Sequence, residues 1–366
     1  MRKETMETIR VELGERSYEI LISSDWLKDL GKKLKGLIPM EKILVVSDDR
    51  VGALYADATV ESLREADFNA DTIILPEGEE VKNLLSVERI YNFLVEYNYP
   101  RRCTVVALGG GVVGDIAGFV AATYMRGVNF IQIPTSLMAM VDSSVGGKTG
   151  VNHRLGKNLI GAFYQPRLVF IDTSLLKTLA KEEFISGLAE VIKYGIIRDA
   201  RFFELVEDEM GNLISGELKA INTIVKRCCE IKAEIVSADE REAGLRSILN
   251  FGHTVGHAIE AVTNYRKYRH GEAVAIGMLA TSRISVKMNL FSDMEVQRLW
   301  QVIVRANLPY RLTDIDTDDI LERMRKDKKV RSEKVRFVLP KQIGETVIRD
   351  DVPEPIVKQV LDDMKS

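Results

Sequence analysis

The 366-residue chain reads as two domains: a doubly wound α/β domain over residues 1–173 and a mostly α-helical domain over residues 174–366. Three features point to this. Through the first half, short apolar runs alternate with amphipathic stretches of helical length. One of those runs passes straight into a glycine turn. After Asp172 the strand signals give way to long patterns with a 3.6-residue period.

The elements follow in order. Ile43 to Val46 is apolar throughout and stops at Ser47-Asp48-Asp49, which predicts a buried strand meeting a loop. Ala53 to Glu65 is predicted as helix. Thr72 to Leu75 is a second strand, closed by Pro76-Glu77-Gly78, and Val87 to Tyr97 is a second helix. Thr104 to Leu108 is a third strand and runs into Gly109-Gly110-Gly111. Val112 to Tyr124 is helical, and Phe130 to Ile133 is a fourth strand, stopped by Pro134. Strands joined through helices pair in parallel with right-handed crossovers, the arrangement of a doubly wound sheet. Leu168 to Asp172 closes the first domain. Helices are then predicted over Lys181–Ile197, Gly216–Ala238, Leu245–Val262 and Glu272–Met288, with a small hairpin from Arg336–Leu339 and Glu345–Ile348.

Composition bounds the function. Hydrophobic residues at 46% and charged residues at 29% describe an ordinary globular chain. A net charge of −3 gives no global attraction for nucleic acid or an acidic membrane. There is no apolar run long enough to span a bilayer. Met1 to Arg10 is charged and lacks a signal core. The three cysteines, Cys103, Cys228 and Cys229, are odd in number and two are adjacent, so no disulfide framework is indicated. A cytoplasmic protein is expected.

The densest chemistry is a histidine cluster. Of four histidines, three are His253, His257 and His270. Imidazole is the commonest metal ligand. His253 and His257 are four residues apart and share one face of a helix. With a carboxylate from elsewhere, such histidines make a three-ligand site with an open position. The alternative for the spaced pair alone is a packed or surface pair with no metal. Thr254 occupies the place where the zinc-protease motif requires its general-base Glu, so that class is excluded.

Two glycine motifs lie in the first domain. Gly109-Gly110-Gly111-Val112-Val113-Gly114 satisfies G-x-G-x-x-G between a strand and a helix, where backbone N–H groups face a pyrophosphate. The acid expected at the end of the next strand is absent, because Ile133 runs into Pro134-Thr135-Ser136. The run is either a dinucleotide site of another layout or a tight turn without a ligand, and the Asp115 carboxylate favours the ligand. Gly146-Gly147-Lys148-Thr149 ends like a P-loop, but Asp142 stands where its first glycine belongs, which argues against an ATPase. Lys148 remains a phosphate ligand or a solvated loop lysine. Arg246, Asn250 and His253 project toward a common side if Leu245–Val262 is one helix.

These motifs together resemble the 3-dehydroquinate synthase family, nearly end to end. The most specific runs are Gly109 to Asp115, Tyr124-Met125-Arg126-Gly127, Pro134-Thr135-Ser136, Met140 to Gly150, Gly156 to Gly161, Ala189-Glu190-Val191-Ile192-Lys193 and His270-Gly271-Glu272. The resemblance implies an NAD-binding domain, a helical metal-binding domain and an active site in the cleft they form. It implies Glu190, His253 and His270 as ligands of a divalent metal, zinc or cobalt, both of which suit the set. His257 then belongs beside the metal, toward substrate. From its neighbours Lys193 and Tyr194 alone, Glu190 reads as an exposed helix acid. NAD is implied along Gly111, Val112, Val113, Gly114 and Asp115, with Glu79 and Lys82 toward ribose and adenine. Asp48, Thr135, Ser136, Asp142, Lys148, Lys157 and Thr178 are implied as further contacts.

By the same resemblance the substrate is a sugar acid phosphate, 3-deoxy-D-arabino-heptulosonate 7-phosphate. It is converted to 3-dehydroquinate and phosphate by transient oxidation with NAD, β-elimination of phosphate, re-reduction and an intramolecular aldol closure, in the shikimate pathway of aromatic amino acid biosynthesis. Lys148, Asn158, His257 and Lys329 (or Lys328) are implied at the phosphate, with Arg126 reaching in from the second subunit of a homodimer. Arg246 is implied at the carboxylate, and Lys193, Lys232 and Asn250 at the ring hydroxyls. The rival readings are a sibling sugar phosphate cyclase, whose substrate lacks the carboxylate, and a metal-dependent polyol dehydrogenase, for which so many cations are excessive. A nucleotide-binding sensor without activity is a third.

Overall fold

The computed structural model describes residues 6–331 and 334–365, with side chains throughout except at 327–331. The chain forms two compact units, Met1–Leu179 with Ile221–Arg241, and Ala180–Ala220 with Glu242–Ser366.

The first unit contains β1 (Glu7–Val11), β2 (Tyr18–Ser23), α1 (Leu30–Leu34), β3 (Lys42–Asp48), α2 (Asp49–Glu65), β4 (Asn69–Leu75), α3 (Leu84–Glu96), β5 (Thr104–Gly109), α4 (Gly111–Thr123), β6 (Asn129–Pro134), β7 (Lys148–His153), β8 (Gly156–Phe163) and β9 (Leu168–Asp172). Seven strands form one sheet in the order β1-β2-β9-β6-β5-β3-β4. Every neighbouring pair is parallel except β1 with β2, which is antiparallel at the edge. Ile43 to Val46 are fully buried, as continuous apolar strands covered on both faces require. Their core is filled by Val87, Ile90 and Leu94 of α3 and by Ile116, Ala117 and Val120 of α4. Helix α4 lies close on β6 because of Gly114, where a Cβ would stand 2.7 Å from Gln132 Oε1. The edge pair β1–β2 and the separate β7–β8 hairpin were not predicted.

The chain leaves through α5 (Lys181–Arg198) and α6 (Ala200–Ile214), and α7 (Leu218–Ala238) brings it back. From Ile221 onward α7 packs with the first unit rather than with the helices on either side of it in sequence. Asn222 donates to Ser24 Oγ at 3.2 Å, Lys226 pairs with Glu7 at 2.8 Å, and Cys229 Sγ bonds Met140 O at 3.4 Å. A single division after residue 173 therefore misses this return.

The second unit adds α8 (His253–Val262), α9 (His270–Lys287), α10 (Asp293–Arg305), α11 (Thr317–Arg331), β10 (Phe337–Gln342), β11 (Glu345–Arg349) and α12 (Glu354–Asp363). Helix α5 is buried without a break from Ser186 to Ile197 and α9 from Ala273 to Ser282, so neither has an amphipathic face there. The expected helix Leu245–Val262 is not continuous. Leu245–Asn250 is a 3₁₀ turn, and Gly252, at φ 78°, separates it from α8. Arg246 and Asn250 therefore do not share a helix face with His253.

No helix among the described residues is long and apolar enough to cross a membrane. All three cysteines are buried and none is in a disulfide. Burial pushes the thiols of Cys103 and Cys229 up to about 12.

Candidate active site

In the first unit the strand order reverses at β3, with β4 on one side and β5 then β6 on the other. Crossovers leave the carboxyl ends of β3 and β5 in opposite directions and open a crevice there, the usual ligand position in such sheets. Asp48 ends β3, and Ser47 pairs with Leu108, just before the glycine run. Gly110 caps α4 without a capping side chain, so the first N–H groups of that helix are left for another acceptor. Asp48 itself turns to α2 and accepts from Val51 N at 2.7 Å, and burial raises its pKa.

Several of the implied NAD residues lie around this turn. Lys82 is buried and lies 2.5 Å from Asp115. Burial raises the Asp115 pKa, and the Lys82 charge only partly opposes it. Lys82 also donates to Asn158 Oδ1 at 2.6 Å. Asn152 donates to Glu79 Oε1 at 2.8 Å, and Lys157 stands 3.7 Å from the same oxygen. Asn158, implied at the substrate phosphate, thus has its side chain on Lys82, and Asn152 belongs to the same network although it was not anticipated. Thr135 N bonds Gly109 O at 3.0 Å, and Ser136 Oγ accepts from Ala139 N at 3.2 Å. Asp142 accepts from Lys232 at 2.6 Å, Thr178 pairs with Tyr55 at 2.6 Å, and Lys148 is exposed at the start of β7. Val112 lies half-buried and Val113 buried in the first turn of α4.

In the second unit the histidines come together. One nitrogen each of His253, His257 and His270 lies within 4.8 Å of the others. The carboxylate anticipated from elsewhere is also there. Glu190 Oε1 lies 3.5 Å from His253 Nε2 and 3.8 Å from His270 Nε2. Glu190 is fully buried, the opposite of the exposed helix acid that its neighbours suggest, and its Oε2 is paired with Lys193. Oε1 has no hydrogen-bond partner among the described residues. A buried carboxylate oxygen left bare is costly, and an ion supplies what is missing. A tetrahedral ion with bonds of about 2.1 Å sets neighbouring ligand atoms about 3.4 Å apart, close to these separations. The donor set therefore fits a divalent metal.

The outer contacts of these rings differ. His253 Nδ1 meets the carbonyl of Phe251 at 3.1 Å, and His270 Nδ1 meets Glu260 Oε2 at 3.2 Å. Burial, then Lys193, holds His253 well below the usual histidine range, so it stays neutral, the form that binds metal. Burial also pulls His270 down, but the bond and charge of Glu260 outweigh it and its pKa is raised. Glu260 was not anticipated, although it stands seven residues after His253, two helical turns along the same face.

Four cations that sequence reasoning singled out are deeply buried. Lys82, Lys193, Lys232 and Arg246 are 5%, 1%, 4% and 2% exposed. Cations are rarely this buried without paired acids or an anionic ligand. Asn250 Nδ2 donates to Glu242 Oε1 at 2.5 Å, a partner not foreseen. Arg126 is exposed, at φ 67°. The implied Lys328 and Lys329 lie outside the described side chains.

Gly252 sets where His253 begins. A Cβ there would stand 2.6 Å from Met278 Cγ and 2.8 Å from Met278 N. Gly252→Ala adds a left-handed penalty of about 1–2 kcal/mol to overpacking of about 1–3 kcal/mol. A clear fall in melting temperature, together with weakened metal uptake, is expected in thermal scans of the metal-free and metal-loaded variant.

The chain matches the family model described as 3-dehydroquinate synthase N-terminal over residues 72–186 and the model described as 3-dehydroquinate synthase C-terminal over residues 187–330. It is 49% identical to a 3-dehydroquinate synthase of Picosynechococcus sp., covering 97% of this chain and 98% of that one. Among solved structures it is similar to a 2-epi-5-epi-valiolone synthase from Streptomyces hygroscopicus with NAD+ and Zn2+ bound, at TM-score 0.88 and 28% identity over 96% of this chain and 98% of that one. It is equally similar in fold to a 2-deoxy-scyllo-inosose synthase complexed with carbaglucose-6-phosphate, NAD+ and Co2+, at TM-score 0.88 and 26% identity over 98% of this chain and 100% of that one.

Proposed function

The chain belongs to the 3-dehydroquinate synthase family, and on that footing we propose how its residues divide the work of converting 3-deoxy-D-arabino-heptulosonate 7-phosphate to 3-dehydroquinate and phosphate. The observation that carries the site assignment is the bare, buried Oε1 of Glu190 beside two imidazole nitrogens. Glu190, His253 and His270 hold a divalent ion, zinc or cobalt. Two outer bonds support this set. Phe251 and Glu260 occupy the Nδ1 atoms of His253 and His270 and leave each Nε2 toward Glu190.

NAD is held at the glycine turn of α4, with Asp48, Glu79, Lys82, Asp115, Thr135, Ser136, Asp142, Lys148, Lys157 and Thr178 around it. When bound, the two groups supply a hydride acceptor that is regenerated and a Lewis acid that favours the substrate alkoxide. The rest is the protein's. Arg246 binds the substrate carboxylate through its planar fork. Lys148, Asn158, His257 and Lys329 (or Lys328) bind the phosphate, with Asn158 turned from Lys82 to do so. Lys193, Lys232 and Asn250 orient the ring hydroxyls. Buried, fixed cations stabilise developing negative charge without having to reorganise at the moment of reaction.

A homodimer, in which Arg126 serves the second copy, is supported by the backbone at Met125 and Arg126. Both are exposed and held at positive φ, 46° and 67°. Such strain persists where the surroundings impose it. A cytoplasmic setting is supported by three buried thiols outside any disulfide. The sibling cyclases share the fold, but the relatives near 49% identity over almost the whole chain are 3-dehydroquinate synthases, and Arg246 suits their carboxylate.

The test is phosphate release from the seven-carbon substrate with NAD far below substrate concentration. Many turnovers per NAD without NADH accumulation are expected. Chelation followed by removal of metal abolishes turnover, and zinc or cobalt restores it. Stoichiometric NADH would instead identify a dehydrogenase.

A further inference from the structure

Of the clustered histidines, His270 is bonded through Nδ1 to a carboxylate, whereas the Nδ1 of His253 meets a neutral carbonyl. Glu260 is only 5% exposed, and burying a carboxylate is costly unless its charge is used. It sits in the last turns of α8, the helix that His253 opens, while His270 opens α9. One side chain thus ties the helix carrying one candidate ligand to the helix carrying another. Its main chain is fixed as well, since Tyr265 N and Thr263 Oγ1 both donate to Glu260 O.

We propose that Glu260 is a positioning residue for the metal centre: its carboxylate holds His270 with the proton on Nδ1 and Nε2 bare toward Glu190, and its charge strengthens His270 as a donor. The proposal rests on the reading of Glu190, His253 and His270 as the ligands. A carboxylate behind a ligating imidazole fixes both ring orientation and tautomer and raises ligand basicity. Glu190 alone does not do this, because its own charge is shared with Lys193. The second carboxylate restores a net negative shell around the ion, which favours a dication.

The experiment uses the full chain as Glu260→Gln and Glu260→Asp. Gln keeps the size and loses the charge, while Asp keeps the charge and withdraws it by one methylene. Zinc affinity is measured by competition with a chromophoric chelator, and the visible absorption of the cobalt-loaded forms is recorded. The dissociation constant of Glu260→Gln is expected to rise about 10–100-fold, with an altered cobalt spectrum. Glu260→Asp is expected to rise as well, so the test survives if one variant fails to fold. The melting temperature of the metal-free protein and its NAD affinity stay as in the wild type. Zinc affinity within about twofold of the wild type in both variants overturns the proposal, as does a lower metal-free melting temperature with unchanged affinity. A wild-type chain that takes up neither zinc nor cobalt sinks the ligand set itself and this inference with it, and that outcome is distinct from the first.

Discussion

Glu190→Ala loses both bound metal and turnover, with phosphate release falling more than about a thousandfold, the equivalent of about 4 kcal/mol in the barrier. Two effects add. The ion loses its anionic ligand, and Lys193 loses the carboxylate with which it is buried. Removing one partner of a buried pair costs about 3–5 kcal/mol, so the variant is also less stable. Glu190→Gln keeps the volume and removes only the charge, so metal loss in that variant cannot be ascribed to a cavity. Metal content by atomic absorption and steady-state phosphate release are the measurements. His253→Ala behaves alike. Stoichiometric metal and normal turnover in Glu190→Ala would falsify the ligand assignment.

Arg246→Ala keeps its metal and loses catalytic efficiency. A charged hydrogen bond is worth about 1.5–3 kcal/mol, and a bidentate contact uses two, so kcat/KM is expected to fall about 10²–10⁴-fold. The loss is specific to the substrate carboxylate. An analogue without that group should be turned over equally poorly by the wild type and the variant, which a sibling cyclase would not show. Arg246 is buried, so circular dichroism must first establish that the variant folds. A kcat/KM within threefold of the wild type would remove Arg246 from the substrate site.

Much of the first unit was legible. Strands β3, β5, β6 and β9 announce themselves because both faces are covered, so each is dominated by apolar residues, while the edge strand β4 is marked only by its apolar end Ile73–Leu75. The β7–β8 hairpin did not, because no residue of β8 is buried and its short apolar stretch, Leu159 to Phe163, is interrupted by Gly161. Nor did β1, a half-buried edge strand with Thr8 and Arg10 facing outward. The break before α8 was missed because Gly252 is one residue in an otherwise periodic stretch, and its left-handed backbone is set by packing against Met278.

The site was legible in a different way. Histidine scarcity exposes His253, His257 and His270, but spacing cannot choose between His257 and Glu190 as a ligand. Glu190 lies more than sixty residues upstream, and only tertiary packing brings it to Nε2 of His253. Glu260, Asn152 and Glu242 carry no motif; each is recognisable only through the partner that it bonds.

The excursion of the chain through α5 and α6 before α7 returns has a consequence for biosynthesis. A nascent polypeptide paused near Leu179 has made every strand of the large sheet, yet lacks the helix that supplies Lys232 to Asp142 and Cys229 to Met140. The nucleotide-binding unit is therefore complete only once Arg241 has cleared the ribosome exit tunnel. Until then the partners of α7 in the first unit lack their contacts, and a gene fragment ending at Leu179 is expected to encode a less stable product than the whole unit.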